Sequence, residues 1–438
     1  MYLSATTTVV PTVEGDPRRE AIVRVRRASV HWLMGSRARE AVLGPSAPDW
    51  FGLERDPRAT LVKPGRLRRT WRVTLSEGTV FVKVFEGDGG GLLGRLSRWV
   101  GMETAQREWR ASRAAERRGV PAVRSLAVGL DGQRRRDEVL LSKGLPDAAP
   151  LSHAWEHAAE RHATALSLIE AVARLFASAH NRGFVHRDAH PGNILIQPTS
   201  DGECKALFVD LHGACFAGNL PSRRRVARAL AQLDHYFQRH ASRSQRWRFL
   251  QSYVSLRRSF FVRGERRTFY GELLSLIATA RTAHAAALAR QRDRRIRGKG
   301  KYFATFALGH GWKGTFVLQL ERRHAFPETG IPDRSEEDWR NTVQPLVDGR
   351  KRDEDTFAVP GFRVERKRAV GVGARMLWSL TGSLHRKEFT RSHRLRHRDI
   401  PSELILGCLE HRSPVGLIDE TVLVRPTPSR EWQTDDSH

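Results

Sequence analysis

The polar residues best suited to chemistry lie within one segment of the chain, 184–213. Asp188 is followed five residues later by Asn193, and Asp210 ends the next apolar run. An aspartate can accept or orient the proton of an attacking hydroxyl, while an amide oxygen and a second carboxylate are oxygen ligands that suit Mg²⁺. Phosphoryl transfer requires positioning and charge neutralisation more than covalent chemistry. The spacing therefore predicts a phosphoryl-transfer site with Asp188 as base and with Asn193 and Asp210 as metal ligands.

A lysine that could hold nucleotide phosphates lies upstream, inside a run of apolar residues. Lys83 interrupts the apolar run 80–85, where an ammonium group needs an acidic partner. Glu108 follows 25 residues later, 108 − 83, within a stretch of helical periodicity at 103–118. In protein-kinase-like enzymes an acid on such a helix orients the lysine that contacts the phosphates of ATP. We therefore expect Lys83 and Glu108 to bind ATP, together with Mg²⁺ at the metal ligands.

Two features of these segments differ from the sequences of most kinases. No G-x-G-x-x-G pattern precedes Lys83, so only 63–66 and the turn 76–78 are available to cover the phosphates. His190 stands where many kinases have a lysine that contacts phosphate. A histidine can replace it when protonated or when it donates a hydrogen bond, so we predict that His190 acts beside Asp188 in catalysis.

The elements that must position these residues form a β-rich front part and a helical back part. The runs 70–75 and 79–85, joined by the turn 76–78, predict a hairpin. The helix over 103–118 ends at the Gly-Val-Pro sequence 119–121. Further elements are expected at the following places: a short helix at 28–43, strands at 139–142, 194–196 and 206–210, and helices at 163–181, 223–238, 246–256 and 268–290.

This order predicts an α+β fold with two lobes, a β-rich N-lobe and a helical C-lobe, as in protein kinases. The chain of 438 residues is long enough for two to three domains at roughly 150 residues each. We predict four segments: a proline-rich and partly ordered leader at 1–58, the N-lobe at 59–143, the C-lobe with the catalytic loop at 144–300, and an accessory lobe at 301–438.

The tail of the chain repeats part of the N-lobe pattern. Three of its segments correspond to segments around Lys83 and Glu108: 388–401 to 108–121, 420–425 to 138–143, and 364–367 to the lysine strand. The first pair runs from glutamate to proline over the same distance, since 401 − 388 and 121 − 108 are both 13. The accessory lobe is therefore predicted to be a degenerate second N-lobe. It should be catalytically silent because no second His-Arg-Asp sequence follows.

The residues described above resemble the lipopolysaccharide kinase (Kdo/WaaP) family over about 58–300. The resemblance rests on the following sequences: Val82-Lys83-Val84, Arg107-Glu108-Trp109, the Gly-Val-Pro stop, the loop from His186-Arg187-Asp188 to Asn193, and Asp210-Leu211-His212. It implies a protein-kinase-like fold and transfer of the γ-phosphate of ATP to a sugar hydroxyl, of Kdo or heptose, in the lipopolysaccharide core. It also implies action at the cytoplasmic face of the inner membrane.

Composition and charge limit the class of protein. With 75 Lys+Arg against 48 Asp+Glu the formal charge is +27, which suits an anionic partner, and an anionic glycolipid acceptor meets that need. The hydrophobic fraction of 40% excludes a disordered chain, a collagen or a coiled coil. No apolar run approaches the roughly 18 residues of a spanning helix, and no secretory signal is seen. Three scattered cysteines favour a reducing, cytoplasmic location with at most peripheral contact with the inner membrane.

Other functions are weighed against a sugar kinase. The sequence His-Pro-Gly-Asn at 190–193 is similar to that of the atypical kinases of ubiquinone synthesis, but their lysine–glycine–glutamine signature is not visible. A pseudokinase scaffold disagrees with the intact set of site residues. A nucleic-acid-binding scaffold would use the basic run 290–301, but no RNA-recognition motif or zinc finger accompanies it. No specific nucleic-acid partner is therefore expected.

Overall fold

The computed structural model divides into two compact units, Met1–Arg281 and Thr282–His438, called the first and second unit below. The residues that the structure describes are 6–10, 20–65, 68–86, 104–132, 137–158, 161–199, 203–216, 220–257, 266–320, 333–348, 356–359 and 361–427. Within these ranges no helix is both long and apolar enough to cross a bilayer.

The first unit begins with an antiparallel sheet of eight strands. In chain order the strands are β1 (Thr6–Val10), β2 (Ile22–Arg27), β3 (Val30–Gly35), β4 (Ala59–Lys63), β5 (Arg68–Leu75), β6 (Gly78–Phe85), β7 (Ser125–Asp131) and β8 (Glu138–Lys143). In space they follow the order β1-β2-β3-β7-β8-β6-β5-β4. In the chain, helix α1 (Arg39–Leu43) lies between β3 and β4, and α2 (Thr104–Arg117) lies between β6 and β7.

Alternation of side chains along β6 decides where Lys83 lies. Val80, Val82 and Val84 are buried in the core on one face of the sheet. Successive side chains of a strand point to opposite faces, so Lys83 lies on the other face. Helix α2 packs on that face through Trp109, and Glu108 is its neighbour in the chain. The register of one strand and the phase of one helix thus bring Lys83 and Glu108 to the same side of the sheet.

The rest of the first unit is mainly helical. Its helices are α3 (Leu151–Ala158), α4 (His162–Asn181), α5 (Arg223–His240), α6 (Arg243–Ser255) and α7 (Arg266–Arg295), the last residues of which belong to the second unit. Its short strands are β9 (Ala149–Pro150), β10 (Phe184–Val185), β11 (Ile194–Pro198), β12 (Cys204–Phe208) and β13 (Cys215–Phe216). β11 pairs with β9 and β12, and β10 pairs with β13. The loop between β10 and β11 therefore starts and ends on paired strands.

The second unit is a six-stranded antiparallel sheet with three further helices in the described ranges. Its elements are β14 (Phe303–Gly309), β15 (Trp312–Val317), α8 (Glu336–Val347), β16 (Thr356–Val359), β17 (Phe362–Arg368), α9 (Gly371–Thr381), α10 (Leu384–Arg396), β18 (Gly407–Arg412) and β19 (Ile418–Pro426). The strand order is β14-β15-β18-β19-β17-β16. An apolar core that includes Phe316, Trp339 and Phe389 lies between the sheet and α8 and α10.

Strand order in the second sheet parallels strand order in the first. The series β14-β15-β18-β19-β17-β16 runs as β2-β3-β7-β8-β6-β5 does. Helix α10 precedes β18 and packs on β18 and β19, as α2 precedes β7 and packs on β7 and β8. Arg366 of β17 pairs across the sheet with Val422, as Lys83 of β6 pairs with Leu140.

The structure corrects the helix expected at 28–43. Residues Val30–Gly35 form β3, which pairs with β2 on one side and β7 on the other, and only Arg39–Leu43 is α-helical. Ladder hydrogen bonds on both sides and the burial of Trp32 and Met34 outweigh the local helical pattern. The hairpin predicted at 70–85 is confirmed as β5 and β6.

Candidate active site

Three of the six predicted site residues meet at the face of the first sheet that α2 covers. The Lys83 Nζ lies 2.6 Å from Oε1 of Glu108 and 3.2 Å from Oδ1 of Asp210. The Lys83 side chain is 17% exposed and that of Glu108 is 6% exposed, so the pair is largely shielded from water. One ammonium group therefore joins α2 to Asp210, the second residue after the end of β12.

Two further cations contact Asp210. The Nδ1 of His212 lies 2.6 Å from Oδ1, and Nη1 of Arg68 lies 3.4 Å from Oδ2. Burial alone raises the pKa of Asp210, but the hydrogen bond from His212 and the charges of Lys83 and Arg68 outweigh it. The pKa of this carboxyl group is therefore far below its usual range. The hydrogen bond to Asp210 is also the main cause that raises the pKa of His212 above its ordinary value.

The backbone of Asp210 takes a conformation that few residues adopt. Its φ of 58° and ψ of 58° lie in the left-handed region, which aspartate tolerates better than bulky or β-branched residues do. The chain turns there into the single helical turn Leu211–Gly213, and the buried Leu211 anchors that turn in the helical core. Such conformations cluster at functional sites. Here the turn places the carboxylate of Asp210 beside the ammonium group of Lys83.

A buried histidine fixes the loop that carries Asp188. The Nε2 of His186 donates to the carbonyl oxygen of Val209 at 2.9 Å, and its Nδ1 accepts from the backbone N–H of Asp188 at 3.2 Å. The imidazole is 1% exposed and stacks on Phe208. Burial is the main cause that lowers its pKa, and both hydrogen bonds fit the neutral ring with its proton on Nε2. His186 thus ties Asp188 to the strand end that precedes Asp210.

Asp188, Asn193 and His190 form a second group of predicted site residues. The Nδ2 of Asn193 donates to the carbonyl oxygen of Asp188 at 2.9 Å and to its Oδ2 at 3.1 Å. The Asp188 side chain is nevertheless 51% exposed, so its carboxylate is oriented and still accessible. The Nε2 of His190 lies 3.8 Å from the same Oδ2, and its Nδ1 accepts from the N–H of Gly192.

A glutamine outside the loop holds it from the helical side. The Oε1 of Gln232 on α5 accepts from the N–H of Ala189 at 2.6 Å, and its Nε2 donates to the carbonyl oxygen of Arg187 at 2.5 Å. These are the two residues next to Asp188 in the chain. Gln232 therefore fixes the backbone on both sides of Asp188.

The oxygen atoms near Asn193 suit a hard cation such as Mg²⁺. Because Nδ2 donates to Asp188, the Oδ1 of Asn193 is turned away, and it makes no hydrogen bond within the described part of the chain. The backbone oxygen of Asn193 accepts from the N–H of Val209 at 3.0 Å. This hydrogen bond holds Asn193 beside the residue that precedes Asp210. An amide oxygen and a carboxylate are donors that Mg²⁺ prefers.

A second set of potential ligands is formed by Glu108, Asp210 and His212, whose ligand atoms lie within 4.8 Å of one another. Lys83 contacts Oε1 of Glu108 and Oδ1 of Asp210, and His212 contacts the same Oδ1. Glu108, Asp210 and His212 thus form an ion-pair network around Lys83, and Oδ2 of Asp210, 3.4 Å from Arg68, is the less closely contacted of its two carboxylate oxygens.

Sequence reasoning missed three residues of this site. His212 lies two residues after Asp210, and that position is the signal that could have found it. Arg68 and Gln232 belong to no sequence motif. Arg68 reaches the site because of the register of β5 against β6, and Gln232 because of the side of α5 on which it lies.

A lysine paired with a helix glutamate and with an aspartate after a strand, beside an Asp–Asn loop, is the arrangement that protein-kinase-like enzymes use for phosphoryl transfer to a hydroxyl group. Residues 58–253 match the lipopolysaccharide kinase (Kdo/WaaP) family, and all six predicted site residues fall within this range. The match confirms the resemblance and the enzyme class expected from the sequence, a kinase acting on a sugar hydroxyl. Kinases of this family use ATP.

The known proteins that are similar to the chain include the following two. One, from Pseudomonas aeruginosa, is described as lipopolysaccharide core heptose(I) kinase WaaP; it is 27% identical over 196 residues, which cover 42% of this chain and 73% of that protein. The other is a solved structure described as WaaP in complex with acyl carrier protein, with 22% identity and a TM-score of 0.42, covering 57% of this chain and 98% of that one. The structural likeness is too low to carry an argument.

Proposed function

We propose that the first unit transfers the γ-phosphate of ATP to a sugar hydroxyl, of heptose or Kdo, in the lipopolysaccharide core or a related envelope glycolipid. The observation that carries the proposal is the meeting of Lys83, Glu108 and Asp210 inside the range that matches the family. The Pseudomonas relative is described as a heptose(I) kinase, which makes heptose the first acceptor to test.

Each residue receives a role from its contacts. Lys83, oriented by Glu108, holds phosphate oxygens of ATP, and Asp188 takes the proton of the acceptor hydroxyl. The acceptor oxygen forms the new bond to phosphorus, and the bond between the γ-phosphorus and the β–γ bridging oxygen breaks, so that ADP leaves. His190 lies 3.8 Å from Asp188 and donates a hydrogen bond to phosphate.

Asn193 and Asp210 are proposed to hold Mg²⁺. When bound, the ion supplies neutralisation of phosphate charge. Asn193 would offer its Oδ1 and Asp210 its carboxylate.

A two-lobed arrangement of the kinase, with lobes at 59–143 and 144–300, is part of this proposal. So is the interpretation of 301–438 as a degenerate second N-lobe, which the parallel strand order and the parallel positions of α2 and α10 support. The second unit would not bind nucleotide, since Arg366 stands in the place of Lys83 and its Nε lies 3.0 Å from Glu420. Peripheral contact with the inner membrane is proposed because the acceptor is a membrane glycolipid.

The test is transfer of labelled γ-phosphate to fractionated envelope glycolipids. We expect Asp188→Asn to lower kcat by at least about 100-fold while ATP binding is retained, because it removes only the base. The matched control is Asp348→Asn in the second unit, which should keep wild-type labelling. Equal labelling by wild type and Asp188→Asn would exclude Asp188 as the base, and labelling of protein alone would exclude a sugar acceptor.

A further inference from the structure

Helix α9 presents apolar side chains to solvent. Val372, Met376 and Leu380 repeat every four residues and are 66%, 51% and 82% exposed, and Leu377 beside them is 56% exposed. The opposite side of the helix is held by Trp378, which packs in a small buried cluster of the second unit. The inward side of α9 is thus packed against the second unit, and its outward side is apolar as well. We call these four exposed residues the α9 face.

The α9 face differs from the outer face of an ordinary surface helix, which is polar. Arg375 is the one charged residue of α9 and is exposed, and the two hydroxyl groups of the helix bond to its own backbone. The hydroxyl of Ser379 donates to the carbonyl oxygen of Arg375, and the hydroxyl of Thr381 donates to that of Leu377. A contiguous exposed apolar patch marks a site of interaction with a protein or a membrane.

A basic groove adjoins the α9 face. The groove has a volume of about 750 Å³, and Leu380 lines it as well as belonging to the α9 face. Its charged lining comes from α10, β15 and β18 and from residues 297 and 398: Arg297, Lys313, Arg386, Lys387, Arg391, Arg394, Arg398, Glu410 and Arg412. Eight of these nine side chains are basic, so the groove has a strong positive potential.

Several of the groove cations have no acidic partner. Arg386 is paired with Glu410, and Arg398 is paired with Asp293. Arg391 and Arg394 are exposed on α10, and neither forms an ion pair with any residue that the structure describes. The groove therefore retains uncompensated positive charge next to an apolar surface.

We infer that the α9 face and the basic groove together form a docking surface for an anionic lipid bilayer. Apolar side chains beside cations are the composition that lies in the headgroup region of membranes. A free phosphate would neutralise the cations of the groove but would leave the α9 face exposed to water. An apolar protein partner would cover the α9 face but would leave the cations without counter-charge. An anionic bilayer supplies both, with headgroup phosphates for Arg391 and Arg394 and acyl chains for Met376 and Leu380.

This surface lies in the second unit, outside the residues that match the kinase family, and its binding is measurable without nucleotide or acceptor. The inference deepens the peripheral membrane contact of the proposed function by naming the surface that makes it, and it rests on that part of the proposal but not on the kinase activity. A failure to detect sugar kinase activity would leave this inference unchanged, because vesicle binding tests it separately.

The experiment is co-sedimentation of the full chain with vesicles of phosphatidylcholine alone or mixed with phosphatidylglycerol. We expect binding to the anionic vesicles only, weakened by salt. Arg391→Gln/Arg394→Gln should weaken it about 30-fold, because each cation near an anionic surface contributes about fivefold, or about 1 kcal/mol. Met376→Ser/Leu380→Ser should weaken it at least about tenfold through lost apolar insertion.

Matched controls separate the surface from general charge and hydrophobicity. Arg224→Gln/Arg228→Gln removes two exposed cations from α5, and Val415→Ser removes an apolar residue that is 80% exposed elsewhere in the second unit. Both controls should bind as wild type does. Arg391→Lys/Arg394→Lys keeps the charge and should retain binding, which shows that the loss is not a folding defect.

Three results would overturn the inference. The first is wild-type binding by Arg391→Gln/Arg394→Gln or by Met376→Ser/Leu380→Ser. The second is a dimer in light scattering that Met376→Ser/Leu380→Ser dissociates while vesicles are not bound. The third is binding of an oligonucleotide through the groove in the absence of vesicle binding.

Discussion

Replacing Lys83 by Met removes the ammonium group that joins Glu108 to Asp210, and the contacts determine what is lost. The Oε1 of Glu108 has Lys83 as its partner at 2.6 Å, and its buried Oε2 has no hydrogen-bond partner within the described ranges. Asp210 keeps His212 and Arg68. The substitution therefore leaves one buried carboxylate without a cation, and not two.

Breaking a buried ion pair from one side costs about 3–5 kcal/mol. We expect the lower end, about 3 kcal/mol, because the Lys83 side chain is 17% exposed and water can reach part of the site. For a domain of this size 1 kcal/mol shifts Tm by about 2–4 °C, so the transition of the first unit should fall by about 6–12 °C. Differential scanning calorimetry of the full chain measures it.

The matched control is Lys83→Met/Glu108→Leu, which replaces both charges by apolar side chains of similar volume. Its Tm should return to within about 4 °C of wild type, since such replacements are often neutral or stabilising. Both variants should lose phosphoryl transfer. A Lys83→Met protein that melts with the wild type, or a double variant that melts below the single one, would refute the assignment of Lys83 as the partner that Glu108 needs.

Two other predictions concern residues that hold the site. Gln232→Leu should lower kcat about tenfold with unchanged ATP affinity, because Gln232 fixes the backbone on both sides of Asp188; a changed affinity with unchanged kcat would contradict this role. Protonated His212 stabilises the folded chain below the ordinary histidine pKa of about 6.5, and this contribution is lost as pH rises through the raised pKa. The Tm difference between wild type and His212→Gln should therefore shrink as pH rises above about 6.5, and a constant difference would show that His212 does not titrate against Asp210.

The sequence predicted most of the site because its residues lie in elements with strong local signals. Lys83 interrupts a β-branched strand and Glu108 lies on a helix with a clear stop, so the two elements could be placed without knowledge of the fold. Asp188 and Asn193 lie close together in the chain, and Asp210 follows the next strand. Their roles in catalysis and metal binding stay predictions, although the contacts of Lys83 with Glu108 and Asp210 agree with them.

The residues that sequence reasoning missed owe their positions to tertiary contacts. Arg68 lies 142 positions before Asp210 and meets it because β5 pairs with β6. The strand Val30–Gly35 replaced an expected helix because pairing with β2 and β7 is invisible in a local window. The α9 face escaped notice because the burial of Trp378 and the exposure of its neighbours depend on which side of the helix meets the sheet.

The proposal that the second unit is a degenerate N-lobe gives Arg366, the β17 residue that pairs as Lys83 does, a structural role in place of a catalytic one. Its side chain is 2% exposed, and its partner Glu420 comes from the adjacent strand rather than from a helix. A guanidinium group buried in this way links two neighbouring strands through an ion pair but cannot reach a nucleotide. Searches that rely on active-site signatures would pass over such a unit. Under the same proposal, similar units in other enzymes can be sought by comparing strand order within a single chain, because strand order can be kept where catalytic residues are not.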